Sequence, residues 1–267
     1  MLWESSTYES NICWVAPSNK IAYWGLKDWN VTLAEQIKNK LKEIATTYNL
    51  PCDVYGLPVT LRHDSLFGLA VWRNPDTRFN QTTILNLYNQ SGYMIEIEIS
   101  NSTEPISDWF EYADLLIYEA LDYTISKVWG EVNIAKAKEL VNKVIDMWDG
   151  YGLRDQQYYN NNQTKYETYK LALLYFACKK LNIPLKFEKQ LITQIWKAQA
   201  PNGGIHTHYT KTGDFAFSDC NVETTAIVLY CNIPDSPSSS AENLATIFIP
   251  LIVAFAMLSI CIRFLNR

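Results

Sequence analysis

Residues 196–230 read WKAQAPNGGIHTHYTKTGDFAFSDCNVETTAIVLY, the end of one helix, a glycine-bearing loop and the start of another helix. Two of the chain's three histidines, His206 and His208, sit in that loop behind Gly203-Gly204. The helix that follows, Glu223-Thr-Thr-Ala-Ile-Val-Leu-Tyr230, has two counterparts upstream. Glu167-Thr-Tyr-Lys-Leu-Ala-Leu-Leu174 and Glu111-Tyr-Ala-Asp-Leu-Leu-Ile-Tyr118 align with it, and the glutamates recur every 56 residues. A repeat of that period is the mark of a supersecondary unit used several times. Between the aligned segments lie amphipathic stretches, Val132 to Trp148 and Leu185 to Gln199, so each unit reads helix, turn, helix, long loop. The two long loops correspond as well: Gln199-Ala-Pro-Asn-Gly203 matches Asp146-Met-Trp-Asp-Gly150, with glycine placed for a helix C-terminus at positive φ.

Upstream of the repeat, Asn30 to Tyr48 is a further amphipathic helix, with Leu33, Ile37, Leu41, Ile44 and Ala45 on one face, closed by Leu50-Pro51. Tyr8 to Trp24 is aromatic and shows no period, and Val54 to Trp72 is open between strand and helix. Residues 83–100, TILNLYNQSGYMIEIEIS, alternate apolar and polar side chains around Gly92, which predicts a small β-hairpin inserted into the helical array. The expected fold is mainly α, with residues 1–234 as one domain.

Downstream, residues 235–243 form a polar tether, and Leu244 to Ile262, LATIFIPLIVAFAMLSICI, is uncharged. As a helix it would extend about 28 Å, the thickness of a bilayer's hydrocarbon core, and it is expected to cross a membrane once. The tail 263–267 carries Arg263 and Arg267, which places the C-terminus in the cytoplasm and the large domain outside. Five N-x-S/T sequons, at Asn30, Asn80, Asn89, Asn101 and Asn162, all precede the span and agree with that side. Met1-Leu-Trp-Glu4 lacks the features of a signal peptide, which leaves an upstream start or a cytoplasmic tail-anchored domain as the open alternatives.

A net charge of −5 and the lack of any basic cluster beyond Lys179-Lys180 disfavour nucleic acid as a partner. The cysteines show no paired CxxC spacing, which excludes a zinc ribbon and leaves a Cys13–Cys52 bridge open. Serine-hydrolase, P-loop and zincin motifs are absent.

Helix pairs alternating short and long loops, with Gln199, Gly203 and Ile205 leading into a loop and then the ETT-type helix at Glu223, resemble the α/α toroid superfamily. That superfamily includes many (α/α)6 carbohydrate-active enzymes and a terpene-cyclase and prenyltransferase branch with similar Gln-Gly turns. The resemblance covers Asp108 to Tyr230; four to five helix pairs fit, so the ring is expected to be incomplete or the chain truncated. Ile205 stands where the cyclases prefer an aromatic, and no DDTA- or DxDD-like acid run occurs, which disfavours a cyclase. The resemblance implies that loops 149–164 and 201–219 meet at one end of the ring, around a cleft for an extended ligand such as a carbohydrate.

Asp114, a non-repeated acid on an inner helix, and the loop residues Asp149 and Asp155 are the candidate acid/base carboxylates of a glycoside hydrolase or polysaccharide lyase. His206, His208, Glu223, Tyr118 and Tyr151 are the candidate substrate-binding residues. No cofactor is expected. Glu111 and Glu167 are read as capping residues, through Asp108-x-x-Glu111 and Thr164-x-x-Glu167, and the loop aspartates equally suit Asx-turns. One alternative is a metal-dependent toroid enzyme using His206 and His208 with Asp219 or Cys220; the other is a non-catalytic cell-surface recognition or structural protein.

Overall fold

A computed structural model describes residues 12–69, 81–90, 93–105, 107–125, 132–215 and 218–235. The expected span 244–262, tail 263–267 and all of the tether beyond Asp235 lie outside the described residues, and no helix among those described is long and apolar enough to cross a membrane.

The chain is mainly helical, and its longer helices fall into two classes by where their apolar residues lie. Helices α2 (Val31–Thr47), α4 (Ile134–Asp146) and α7 (Glu188–Lys197) bury one stripe each: Leu33, Ile37, Leu41 and Ile44; Ala137, Leu140, Val141 and Val144; Leu191, Ile192 and Ile195. Helices α1 (Ala16–Leu26), α3 (Ala113–Asp122), α6 (Thr168–Leu181) and α8 (Val222–Tyr230) are buried around most or all of their circumference. Helices of the first kind cover those of the second, as a continuous apolar surface requires. A short helix α5 (Gln156–Asn160) interrupts the loop between α4 and α6.

The inner helices touch in an order that differs from the order of the chain. Helix α3 packs on α6, α6 on α8, and α8 on α1, while the 3₁₀ turn Leu61–Ser65 fills in beside α3. The first helix is thus the neighbour of the last. Gly25 makes that approach close, since a Cβ there would stand 3.0 Å from the carbonyl oxygen of Ala226. The periodless Tyr8 to Trp24 stretch therefore holds half of the closing contact. Its helix gives no amphipathic signal because all eleven of its residues are buried. Ala16-Pro17 starts it, proline being suited to the first helical turn.

The alternating 83–100 segment pairs as expected. Strands β2 (Gln81–Gln90) and β3 (Tyr93–Pro105) run antiparallel, with Leu85 opposite Glu98 and Tyr88 opposite Ile95. Strand β1 (Ile12–Val15) adds to β3 in parallel, so the sheet has the order β1-β3-β2. A second, two-stranded sheet joins β4 (Tyr166–Glu167) to β5 (His208–Tyr209), tying the start of α6 to the histidine loop.

Three expectations need correction. Gly150 and Gly203 do have positive φ, 96° and 89°, yet they sit beyond the helix ends, which fall at Asp146 and Lys197. Each lies in a turn closed by a single antiparallel bridge, Trp148 to Leu153 and Gln199 to Ile205. The 54–69 region forms turns and the 61–65 3₁₀ helix rather than a strand or α-helix. Cys52 carries a free thiol next to the Leu50 carbonyl oxygen, so the Cys13–Cys52 bridge is not made.

Loop 51–66 is held to α1 by a buried cation. Lys20 Nζ lies 2.8 Å from Asp53, 2.7 Å from Asp64 and 2.8 Å from the Pro58 carbonyl oxygen, with all three side chains shut off from solvent. Asp53 and Asp64 also accept backbone hydrogen bonds from Tyr55, Leu57 and Thr60, so the loop's own backbone helps to hold both carboxylates. Removing the cation would leave two buried carboxylates uncompensated. Lys20→Met is expected to destabilise the domain by about 3–5 kcal/mol, read as a lowered urea midpoint at unchanged slope.

Candidate functional site

The first turns of α3 and α6 end side by side. Helix α3 begins after Tyr112, α6 after Glu167 and α8 after Asn221, so Asp114, Tyr169 and Glu223 each occupy the second helical position. The equivalent set is therefore Asp114, Tyr169 and Glu223 rather than Glu111, Glu167 and Glu223. Capping explains neither of the first two glutamates. Glu167 is itself the residue preceding α6 and makes no cap bond, and Asp108 makes none to Glu111. The cap of α8 is Asn221, whose Oδ1 accepts from Thr224 N at 2.8 Å.

Between α3 and α6 lies a cleft of about 220 Å³, partly open to solvent. Tyr112, Asp114 and Leu115 line it from one helix, Glu167, Tyr169 and Lys170 from the other, and Gln157 of α5 from the rim. Lys170 organises these groups. Its buried ammonium sits 2.5 Å from Glu167 Oε2, 2.5 Å from Asp155 Oδ2 and 3.5 Å from Asp114 Oδ1. Tyr169 donates its hydroxyl to Asp114 Oδ2 at 3.1 Å, and His208 Nε2 approaches Glu167 Oε1 at 3.6 Å.

The electrostatics follow from this packing. Burial works against the charge on Lys170, but Asp114, Glu167 and Asp155 outweigh it and hold the amine protonated well above its ordinary range. Burial likewise opposes the charge on Glu167, and His208 and Lys170 overcome it, leaving the carboxyl below the ordinary glutamate value. The Tyr169 hydroxyl moves the other way, raised by burial and by the charges of Asp114, Glu167 and Glu223. At neutral pH the cleft thus presents an ionised Glu167 beside a protonated phenol.

Of the residues expected from sequence to be catalytic or substrate-binding, Asp114 alone lines this cleft. Asp155 is 3% exposed and bonded on every side: it caps α5 at Tyr158 N, accepts from Ala113 N and holds Lys170. That makes it a brace. Asp149 forms the Asx-turn weighed for it, accepting from Tyr151 N and Gly152 N, and adds Arg154 Nε at 2.6 Å and the Tyr166 hydroxyl at 2.7 Å. Tyr118 is buried and packs edge-on against His63. Tyr151 is exposed, but its ring lies under Lys211 Nζ at 4.5 Å, away from the cleft lining. Glu223 meets His63 Nε2 at 3.2 Å.

The two histidines of the glycine loop part company. His208 turns to Glu167, whereas His206 stacks on Phe215 with Nδ1 2.7 Å from the Ser218 carbonyl oxygen. Among the described residues no three His, Cys, Asp or Glu side chains converge on a metal position, so His206, His208, Asp219 and Cys220 form no ligand set.

Glu167, Lys170, Tyr169, Tyr112 and Gln157 were not among the sequence candidates. One signal was present for Lys170: it is a cation in the third position of THR-TYR-LYS-LEU-ALA-LEU-LEU, an otherwise apolar inner helix. A charge buried at 2% exposure requires partners, and three carboxylates supply them. No protein-family model, no curated protein and no solved structure matches this chain.

The Asp149 turn makes a prediction about acid. Burial opposes its ionisation, but Tyr166, Gly152, Tyr151 and Arg154 outweigh it and hold the carboxyl below the ordinary value of 3.8. A depressed acid contributes stability above its unfolded value and loses it as pH falls through the folded one. Asp149→Asn is expected to cost about 1–3 kcal/mol at neutral pH. Thermal melts over descending pH should show that difference closing in the acid range below 3.8.

Proposed function

We propose that this chain is an incomplete α/α-toroid domain whose cleft binds a glycan. The toroid reading is supported by the alternation of covering and buried helices and by the packing of α1 against α8, which brings the two ends of the helical array together. The glycan reading rests on one observation: two carboxylates, Asp114 and Glu167, share the cleft with two tyrosines, Tyr112 and Tyr169. Carboxylates accept from sugar hydroxyls, and aromatic faces cover the apolar side of a sugar ring. The cleft volume of about 220 Å³ is below that of a drug-sized pocket, which suits one ring held within and the rest of a chain outside.

Hydrolysis is the chemistry such a pair supports. Because Asp114 and Glu167 contact one ammonium at 3.5 and 2.5 Å, their nearest oxygens are at most about 6 Å apart, an upper limit that admits the spacing of about 5–5.5 Å used by retaining glycosidases. Glu167, held ionised, takes the part of base or nucleophile, and the protonated Tyr169 phenol that donates to Asp114 stands beside it as the proton source. This replaces Asp149 and Asp155 in those parts.

The apolar 244–262 segment anchors the domain in a membrane, with the sequons and the Arg263 and Arg267 tail placing residues 1–234 outside the cytoplasm. Deleting 244–262 should release the chain from membranes in flotation assays; continued flotation would remove the anchor. For the cleft, saturation-transfer NMR of the full-length chain in detergent with a panel of oligosaccharides should show ligand contact. Tyr112→Ala should weaken binding by about tenfold, the scale of one lost aromatic stack. A panel in which no oligosaccharide shows contact would overturn the glycan reading.

A further inference from the structure

Of the five sequons, those at Asn30 and Asn162 have described side chains, and the fold treats them differently. Asn30 is half-buried at the start of α2, and its Oδ1 accepts from Leu33 N at 3.1 Å, so that amide belongs to the helix cap. Asn162 is exposed in the turn that follows α5, at a φ of 54°, a left-handed conformation that asparagine accepts more readily than most residues. Backbone groups close that turn: Asn162 N donates to the Tyr159 carbonyl oxygen at 3.1 Å, and Gln163 N to that of Tyr158 at 3.0 Å. Among the described residues the Asn162 amide group enters no hydrogen bond, so the turn keeps its shape whatever that amide carries.

An N-linked glycan requires a hydroxyl two residues beyond the asparagine, a residue other than proline between them, and room in the folded product for a bulky polar group. Asn162-Gln163-Thr164 supplies all three, each of its residues being exposed. We propose that Asn162 is a modification site carrying an N-linked glycan, transferred from an oligosaccharide on a lipid pyrophosphate. In that transfer Asn162 Nδ2 bonds to the anomeric carbon of the first sugar and gives up one proton to solvent. The bond from that carbon to the pyrophosphate oxygen breaks, and the lipid pyrophosphate leaves. The assignment rests on the placement of residues 1–234 outside the cytoplasm. It puts the glycan beside the cleft, because α5 carries Gln157 at the rim, and Asn160, two residues before Asn162, donates from Nδ2 to the hydroxyl of Tyr112 at 3.4 Å.

The test is peptide mapping by mass spectrometry of the full-length chain, isolated from the membranes of the cells that make it. Protease added to the same cells while intact reads the side of the membrane independently. The peptide containing Asn162 should carry a mass increment localised to that residue, with sugar fragment ions, and the Asn30 peptide should carry none. Thr164→Ala should abolish the increment and Thr164→Ser retain it, because the acceptor needs the hydroxyl. The unaltered chain gives the primary result, so no variant's folding enters it. A bare Asn162 in a domain that external protease cuts overturns the modification while the extracytoplasmic placement stands. A bare Asn162 in a domain left whole until the cells are opened overturns both. An increment on Asn30 with Asn162 bare overturns the choice of site.

Discussion

A lysine ammonium enclosed by protein must be paid for with partners, and the position of Lys170 dictates where they stand. It lies in the first turn of α6, where the helix dipole already disfavours a cation. Carboxylates from three directions compensate: Asp114 from α3, Asp155 from the start of α5 and Glu167 from the residue just before α6. Asp155 in turn accepts from Ala113 N and caps α5 at Tyr158 N, so the same charge that needed neutralising draws two helix starts and a loop together. The cleft is the space left over between those groups.

The same device occurs at Lys20. There the long loop after a covering helix, α2, supplies Asp53 and Asp64 to a lysine on a buried helix, α1. After α4 the loop supplies Asp155 to Lys170 on α6. After α7 the loop reaches α8 through Ile205 N donating to the Thr225 hydroxyl at 2.9 Å. Buried ion pairs contribute little net stability compared with apolar packing, but their geometry tolerates few alternatives. The two lysine clips therefore fix where a loop docks, while the apolar inner helices supply the bulk of the driving force.

This division explains what could be read from the residues alone. The covering helices α2, α4 and α7 announce themselves because one face is apolar and the other is not. The β2–β3 hairpin is legible from alternation in the same way. Helix α1 has no such contrast, and strand β1 is four residues long, so neither carries a local signal. The cleft was legible at one lining residue, Asp114, whose charge broke the pattern of its helix. Glu167 was hidden by a plausible local explanation, a capping box with Thr164, which the structure replaces with Lys170 and His208. Asp155 is the opposite case: an acid in a long loop reads as a candidate catalytic group, and the structure encloses it beside Lys170.

Repetition and convergence are linked through the helix starts. If Glu111, Glu167 and Glu223 marked equivalent positions, three identical acids would crowd one end of the array and repel. The structure shifts the start of α3 to Ala113 and that of α8 to Val222, so the second helical positions become Asp114, Tyr169 and Glu223. An uncharged phenol now stands between two acids in the repeat, donating to Asp114 and feeling the charge of Glu223. The glutamate displaced from the series, Glu167, falls one turn before Lys170 and pairs with it. A displacement of one or two residues between repeats is thus sufficient to turn a set of like charges into an ordered acid, phenol and ammonium arrangement.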